Sequence, residues 1–190
     1  MRGRIMEHEN VVILFSGGAD SVLLLELAKR MNLKPFCLMI DYGQAHVEEL
    51  DFAQKYLTEQ NIRYQVVAIT GLNVDSGLTG DGEKGRYEGV SIYHVPGRNT
   101  IFLSLAFSVA ESRGISEVWY GADFSDRVAL FPDCYQDYVV KMNEVFKVAG
   151  SKSITVYAPL LGLTKEMVLK MLDSFGVDRS KLFSGYGAFT

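Results

Sequence analysis

The stretch VVILFSGGADS, residues 11–21, places glycine, serine and aspartate directly after an apolar segment. Residues 11–15 are typical of a strand buried on both faces, and the segment SVLLLELAKRM that follows predicts a helix. The glycines therefore occupy a strand-to-helix turn, where backbone N–H groups and the positive end of a helix can bind an anion such as phosphate. An ordinary turn, in which Gly17 and Gly18 only supply permissive dihedral angles, is an equally open alternative at this point.

The composition narrows the class of protein. The chain has 190 residues, 48% of them hydrophobic, and a formal net charge of −4. These values suit one domain with a sizeable core and argue against broad binding to nucleic acid or membrane surfaces. Its two cysteines, Cys37 and Cys134, make neither a disulfide framework nor a four-thiolate zinc site. No apolar run has the length of a membrane span, and residues 1–10 lack the apolar core of a signal peptide. We therefore expect a cytoplasmic protein.

Strands and helices are predicted to alternate along the chain. Strands are expected at residues 11–15, 34–40, 63–69, 117–120 and 154–157, and helices at residues 20–31, 46–60, 98–113, 136–148 and 165–175. This alternation predicts an α/β fold with a parallel, doubly wound, five-stranded sheet. Residues 121–134 are predicted to be a loop. Residues 70–95 exceed the usual loop length of a compact domain, which indicates a mobile lid or, alternatively, a disordered insertion.

Polar segments are expected to gather at one edge of this sheet. In a doubly wound sheet, ligands bind in the crevice beyond the carboxyl ends of the strands. The segments FSGGADS (15–21), DYGQAH (41–46) and GADFSD (121–126) follow three of the predicted strands, and HVPGRNT (94–100) leads into a predicted helix. We expect these four segments to converge and to form the ligand site.

Residues 15–21 resemble the pyrophosphate loop, SGGxDS, of the N-type ATP pyrophosphatases (PP-loop proteins), which activate a substrate as its adenylate. Further segments follow in matching order: DYGQAH at 41–46, VPGRNT at 95–100, Gly-Ala-Asp at 121–123, FPDC at 131–134 and APLLGLTK at 158–165. Together they resemble the 7-cyano-7-deazaguanine (preQ0) synthase family. The resemblance implies a Rossmann-like, adenine-nucleotide α-hydrolase-like fold, and one ATP-dependent ligase domain over residues 1–190 with a C-terminal tail at residues 176–190.

The family resemblance also implies a reaction. ATP adenylates the carboxylate of 7-carboxy-7-deazaguanine, ammonia displaces AMP to give an amide, and a second activation dehydrates the amide to the nitrile. Adenylation removes the charge that repels a nucleophile and creates a good leaving group, so the protein mainly positions the reactants and stabilises the leaving pyrophosphate. The expected small molecules are ATP, Mg²⁺, ammonia and the deazapurine. A homodimer is expected, with no direct nucleic-acid partner and no membrane partner.

Nucleotide binding is implied for the glycine turn and its neighbours: Leu14, Phe15, Ser16, Gly17, Gly18, Ala19, Asp20, Ser21, Asp41, Tyr42, Gln44, Gly97 and Arg98. Asp20 is assigned to Mg²⁺, because a carboxylate that faces polyphosphate is repelled unless a cation intervenes. Its alternative role is that of a favourable acid in a first helical turn. Arg98 stands at a predicted helix N-terminus, where a bound anion would offset the unfavourable charge; the alternative is a surface arginine.

Catalytic roles are implied for Asp20, Ser21, Arg98 and Lys165, and substrate-binding roles for Asn99, Asp123, Phe131 and Asp133. A carboxylate can accept the adjacent N–H donors of a guanine-like edge, which is the reason for choosing the two loop aspartates. Lys165 is implied to reach the ATP phosphates. The alternative for Lys165 is a solvated lysine, for Asn99 a helix cap, and for the two aspartates solvent-exposed acids.

The resemblance ends near the C-terminus. Family members typically carry Ser-Cys-Tyr within a four-cysteine zinc cluster, whereas this chain has Ser184-Gly185-Tyr186, so we expect no zinc. Packing of Leu182, Phe183, Tyr186 and Phe189, or a second subunit, is then expected to hold the tail. Three functions stay open: a nitrile-forming ligase, a ligase that stops at 7-amido-7-deazaguanine, and a non-catalytic nucleotide-binding scaffold. The intact glycine turn and the VPGRNT segment favour an enzyme.

Overall fold

The structure, a computed structural model, describes residues 9–43, 48–70, 95–128 and 131–183. Within these residues the strands are β1 (Val11–Leu14), β2 (Pro35–Asp41), β3 (Arg63–Ala68), β4 (Glu117–Trp119) and β5 (Thr155–Tyr157). The helices are α1 (Ala19–Arg30), α2 (Glu48–Glu59), α3 (Arg98–Arg113), α4 (Phe124–Val128), α5 (Gln136–Ala149) and α6 (Lys165–Ser174). Short 3₁₀ turns lie at Pro132–Cys134 and Arg179–Lys181. The predicted lid at residues 70–95 falls almost wholly outside the described residues and stays a prediction.

The five strands form one parallel sheet in the order β3-β2-β1-β4-β5. This confirms the predicted parallel, doubly wound fold class. The chain moves outward from β1 through β2 to β3 and then returns to the other side of β1 with β4. At such a reversal the connections leave in opposite directions, which opens a crevice at the carboxyl ends of the two neighbouring strands. The sheet order therefore places the ligand crevice next to the ends of β1 and β4.

Helices cover both faces of the sheet. Alternate residues of β1 point to opposite sides: Ile13 packs into the layer of α1, α2 and α6, and Val12 into the layer of α3 and α5. Val11, Val12 and Ile13 are fully buried, and burial of each such side chain contributes about 1.5–3 kcal/mol. The strand that carries the glycine turn is therefore anchored on both faces. The two cysteines are buried in different layers.

The segment after β4 differs from the sequence prediction, which was a loop over residues 121–134. Residues Phe124–Val128 form α4, and a capping box explains why. Asp123 Oδ1 accepts hydrogen bonds from the N–H groups of Ser125 (2.7 Å) and Asp126 (3.1 Å), and Asp126 Oδ2 accepts from the Asp123 N–H (3.0 Å). The reciprocal pattern satisfies otherwise orphaned donors at the start of the helix. The loop prediction was therefore wrong over these residues.

The edge of the sheet at β5 is closed by one side chain of α5. Asn143 accepts a hydrogen bond from the Val156 N–H (2.7 Å) and donates one to the Val156 carbonyl (3.0 Å), as a neighbouring strand would. Such pairing occupies backbone groups at which another strand could otherwise add to the sheet.

Of the helices in the described part of the chain, none combines the length and the apolar character needed to cross a bilayer.

Candidate functional site

A cavity of about 270 Å³ opens beyond the carboxyl ends of the central strands. It brings together many of the residues that the sequence singled out: Leu14, Phe15, Ser16, Asp20, Ser21, Tyr42, Arg98, Asn99, Phe131 and Asp133. Its lining also includes residues that the sequence analysis did not select, among them Glu49, Phe102, Tyr120, Gly121 and Asp126. The polar segments expected to converge do so at this cavity.

Other predicted residues lie beside the cavity rather than in its wall. Gly17, Gly18 and Ala19 form the turn and the start of α1 behind it, and Asp41 and Gly97 flank it. Asp123 and Lys165 meet Asp20 at its edge. Gln44 lies outside the described residues. The ligand contacts assigned to all these residues stay predictions.

The glycine turn is held in shape by the Ser21 hydroxyl. Its Oγ accepts hydrogen bonds from the N–H groups of Ser16 (3.3 Å) and Gly17 (3.1 Å) and donates one to the Gly18 carbonyl (2.9 Å). Ser21 is only 4% exposed, and Gly17 has φ = +84°, a value that residues with a Cβ rarely adopt. Ser21 therefore braces the turn from behind. Direct contact of its hydroxyl with phosphate stays a prediction.

The head of α1 faces this turn without a side-chain cap, because its N-cap residue is Gly18. The first N–H groups of a helix have no intrahelical acceptor and carry the positive end of the helix dipole. An anion at the turn would therefore meet backbone donors.

The C-terminal segment packs against the glycine turn. The Phe183 N–H donates a hydrogen bond to the Gly17 carbonyl (3.1 Å), and the Phe183 ring packs on Phe52. Leu182 packs against the core, as expected for the tail.

An ion cluster joins the first and last helices of the site. Lys165 Nζ lies 2.5 Å from Asp20 Oδ2 and 2.8 Å from Asp123 Oδ2. Burial raises the pKa of Asp20 to about 6, although the charge of Lys165 opposes the shift. Burial lowers the pKa of Lys165, but the charge of Asp20 and the hydrogen bond to Asp123 outweigh it and leave the pKa raised. The lysine is therefore firmly protonated, and it links the two aspartates.

This geometry bears on the role predicted for Asp123. Its side chain is 0% exposed, one carboxylate oxygen caps α4 and the other pairs with Lys165. Both oxygens are therefore engaged, and the residue does not line the cavity. The predicted contact of Asp123 with the base stays a prediction, while the structure favours a positioning role.

The N-cap of α6 was predicted at Thr164. This is confirmed, because the Thr164 hydroxyl accepts a hydrogen bond from the Met167 N–H (3.3 Å).

A second polar group lines the cavity around Arg98. Arg98, the first residue of α3, donates to the Tyr42 hydroxyl (3.4 Å), and its guanidinium lies 6.0 Å from the centre of the Tyr42 ring. Burial raises the pKa of Tyr42, and Arg98 acts against that shift. Burial raises the pKa of Glu49 to about 7, again against the charge of Arg98. Sequence reasoning missed Glu49 because a glutamate in a first helical turn is common, and only the packing of α2 turns it to the cavity.

Taken together, the parallel sheet, its reversal beside β1 and the cavity beyond the head of α1 define a doubly wound, Rossmann-like α/β protein. Solved structures agree on the fold. The NH3-dependent NAD synthetase from Campylobacter jejuni aligns with a TM-score of 0.60 at 16% identity, over 97% of this chain and 71% of that one. The U34-tRNA thiolase NcsA from Methanococcus maripaludis aligns with a TM-score of 0.59 at 17% identity, over 98% of this chain and 63% of that one.

The particular family follows from sequence similarity. The family model described as queuosine biosynthesis protein QueC matches residues 10–189. The 7-cyano-7-deazaguanine synthase 1 of Colwellia psychrerythraea is 38% identical over 185 residues, which cover 94% of this chain and 84% of that protein. The chain therefore belongs to the QueC family, and the resemblance seen in the sequence is confirmed.

Proposed function

We propose that this protein is an ATP-dependent carbon–nitrogen ligase that converts 7-carboxy-7-deazaguanine and ammonia to 7-cyano-7-deazaguanine. The observation that carries the proposal is the cavity itself. In a chain of the QueC family, it joins the uncapped head of α1 to Arg98, Phe131 and Asp133. The head of α1 and Arg98 suit a phosphate chain, and Phe131 and Asp133 suit a flat, polar ring.

The nucleotide is placed with its phosphates at the turn formed by Ser16, Gly17 and Gly18. Backbone donors of α1 face the phosphates there, and Arg98 and Lys165 supply positive charge from two other helices. The neighbourhood of Leu14, Phe15, Asp41 and Tyr42, at the ends of β1 and β2, receives the adenosine. Positioned cations of this kind stabilise the charge that develops on the leaving pyrophosphate.

The donor set also fits Mg²⁺. Asp20 Oδ1 is buried, and the described residues give it no hydrogen-bond donor. Mg²⁺ usually takes one or two carboxylates together with phosphate oxygens and water, so Asp20, with the nearby Asp126 of the same cavity, would hold it. The ion would neutralise phosphate charge. Within the described part of the chain, no cluster of three or more His, Cys, Asp or Glu side chains is arranged for a metal. In the proposed complex, phosphate oxygens and water would complete the coordination of the ion.

The deazapurine is placed at the end of the cavity formed by residues 131–134. A carboxylate there, that of Asp133, would accept the adjacent N–H donors of the guanine-like edge. The Phe131 ring would flank the base, and Asn99, in the first turn of α3, would donate to a ring substituent. This arrangement leaves the carboxylate of the substrate directed toward the phosphates, as adenylation requires.

Product analysis tests the proposal. The protein is incubated with ATP, Mg²⁺, ammonia and 7-carboxy-7-deazaguanine, and the products are identified by mass spectrometry. We expect the nitrile and AMP. The amide as sole final product would replace the proposal with an amide-forming ligase, and the absence of both AMP and product would favour a nucleotide-binding scaffold. The proposal also includes a cytoplasmic location and a homodimer, which rest on the family resemblance; light scattering would measure the assembly.

Gly121 offers a test of the site that avoids charged groups. A Cβ at this position would lie 3.0 Å from the Asp20 Cβ and 3.6 Å from the Ser21 nitrogen. We expect Gly121→Ala to push the end of β4 away from the head of α1 and to lower kcat/KM for ATP by about 10–100-fold, since small misplacements of reacting groups are costly. Gly162→Ala is the control, because a Cβ there meets no atom within 4 Å. Equal activity of the two variants would contradict the close approach.

A further inference from the structure

The roles proposed so far leave one half-buried acid of the cavity unused. Glu49 lies in the first turn of α2 and lines the cavity, while its neighbour Glu48 is exposed. Among the described residues, Arg98 of α3 and Tyr42 after β2 are the charged and titratable groups that face it. The other carboxylates that line the cavity already have proposed roles: Asp20 and Asp126 would hold Mg²⁺, and Asp133 would bind the base.

The packing of α2 places Glu49 close to the glycine turn. A Cβ on Gly17 would lie 3.2 Å from the Ala53 Cβ and 3.6 Å from the Phe52 ring. Residues three and four positions apart share one face of a helix, so Glu49 lies on the face that packs against the turn, one helical turn closer to its N-terminus. Glu49 therefore lines the part of the cavity between the glycine turn and Arg98. The activated carboxyl group of the substrate would lie in this space.

The proposed reaction needs a proton acceptor at that point. When the lone pair of ammonia forms the C–N bond to the acyl adenylate, the nitrogen carries three hydrogens and a positive charge. One proton must leave before the carbonyl reforms and the C–O bond to AMP breaks. In the second stage the amide oxygen forms a bond to the α-phosphorus of a second ATP and pyrophosphate leaves. The nitrogen then loses both its hydrogens as protons, while its electron pairs complete the C≡N bond and the C–O bond to the second AMP breaks. Three protons leave nitrogen in all.

We propose that Glu49 is the residue that accepts these protons, one at a time, and passes them to water. This inference rests on the proposed function, and it adds a catalytic residue that acts on the nitrogen rather than on the phosphates. The carboxylate takes a proton from the nitrogen in each step and becomes a neutral acid. Release of that proton to solvent through the cavity mouth restores the carboxylate before the next step.

The electrostatics of the cavity support this role. Burial raises the pKa of Glu49 to about 7, with Arg98 opposing the shift. An acceptor with a pKa near the working pH is ionised often enough to act and basic enough to draw the proton, which is the optimum for general base catalysis. Acceptance of a proton from nitrogen is therefore expected to strengthen as the pH rises through about 7.

The test separates adenylation from attack by nitrogen. Wild type, Glu49→Gln and the matched control Glu48→Gln are compared in two assays: exchange of labelled pyrophosphate into ATP with 7-carboxy-7-deazaguanine present and ammonia absent, and formation of amide and nitrile with ammonia present. We expect Glu49→Gln to keep the exchange rate within a few-fold while product formation falls about 100-fold or more. Glu48→Gln is expected to match wild type in both assays.

A pH profile and a second nucleophile sharpen the test. With rates normalised to free ammonia, the wild-type profile is expected to rise through a pH of about 7, and Glu49→Gln is expected to lose this limb. Hydroxylamine gives a more acidic ammonium intermediate that water deprotonates readily, so the variant should recover more activity with hydroxylamine than with ammonia.

The outcomes distinguish the two proposals. An equal loss of exchange and product formation in Glu49→Gln, or unchanged product formation, overturns the role of Glu49 and leaves the proposed function standing. If wild type itself shows neither exchange nor product, the proposed function fails and the role of Glu49 fails with it.

Discussion

Replacement of Lys165 by methionine is expected to reduce the rate of product formation by about 100-fold or more and to lower the free energy of unfolding by about 3–5 kcal/mol. The loss of activity follows from removal of a cation beside the proposed phosphate site. The loss of stability follows from the burial of Asp123, whose carboxylate is 0% exposed and would be left without its 2.8 Å partner. Methionine keeps the length and apolar stem of lysine, so lost packing contributes little.

The same helix supplies the matched control. Lys170 is also a lysine of α6, but its ion pair with Glu166 is exposed, and both side chains are more than 70% accessible. Lys170→Met is expected to leave activity and stability close to those of wild type, because solvent screens exposed pairs. Urea denaturation and the product assay measure the two effects. If Lys165→Met does not fold, Lys165→Arg, which keeps the charge, is expected to fold and to retain reduced activity. A fully active and stable Lys165→Met would contradict the structural role of the ion cluster.

Replacement of Asp20 by asparagine is expected to change activity and stability in opposite directions. Product formation should fall about 100-fold or more, because the variant loses the carboxylate that is proposed to hold Mg²⁺ and that anchors Lys165. Stability at pH 8 should rise by about 1–3 kcal/mol. The reason is that burial raises the pKa of Asp20 from 3.8 to about 6, so the folded protein keeps this carboxylate ionised at a cost that asparagine does not carry.

The raised pKa of Asp20 also determines how the stability difference between the variant and wild type changes with pH. Because the folded pKa lies above the unfolded one, Asp20 contributes stability that is fully present below pH 4 and is lost as the pH rises through about 6. The difference between Asp20→Asn and wild type is therefore expected to be small at pH 4 and to grow toward pH 8, as measured by urea denaturation. Asp137→Asn is the control, since Asp137 is exposed and holds the same position in the first turn of α5. A variant that is active, or less stable than wild type at pH 8, would contradict this account.

Much of the fold was predictable because its signals are local. The buried run that forms β1, the helix Arg98–Arg113 and its end at Gly114, which has φ = +72°, were read from neighbouring residues. Thr164 capped α6 as its sequence context predicted. These features depend on backbone conformation and on contacts between residues a few positions apart. Such contacts can be predicted from the local sequence. The prediction failed at α4, because the reciprocal capping by Asp123 and Asp126 was missed although its signal is also local.

The sequence by itself therefore determined the class of fold, the turn at the head of α1 and the family. Only the tertiary structure decided which side chains act on one another. Lys165 and Asp20 are 145 positions apart in the chain, and no periodicity or motif spacing pairs them. Glu49 reaches the cavity because α2 packs against Gly17, and Asp123 turns away from it because Lys165 holds its carboxylate. The physical reason is that burial and ion pairing depend on distances set by the sheet order, which joins distant segments that local sequence preferences do not connect.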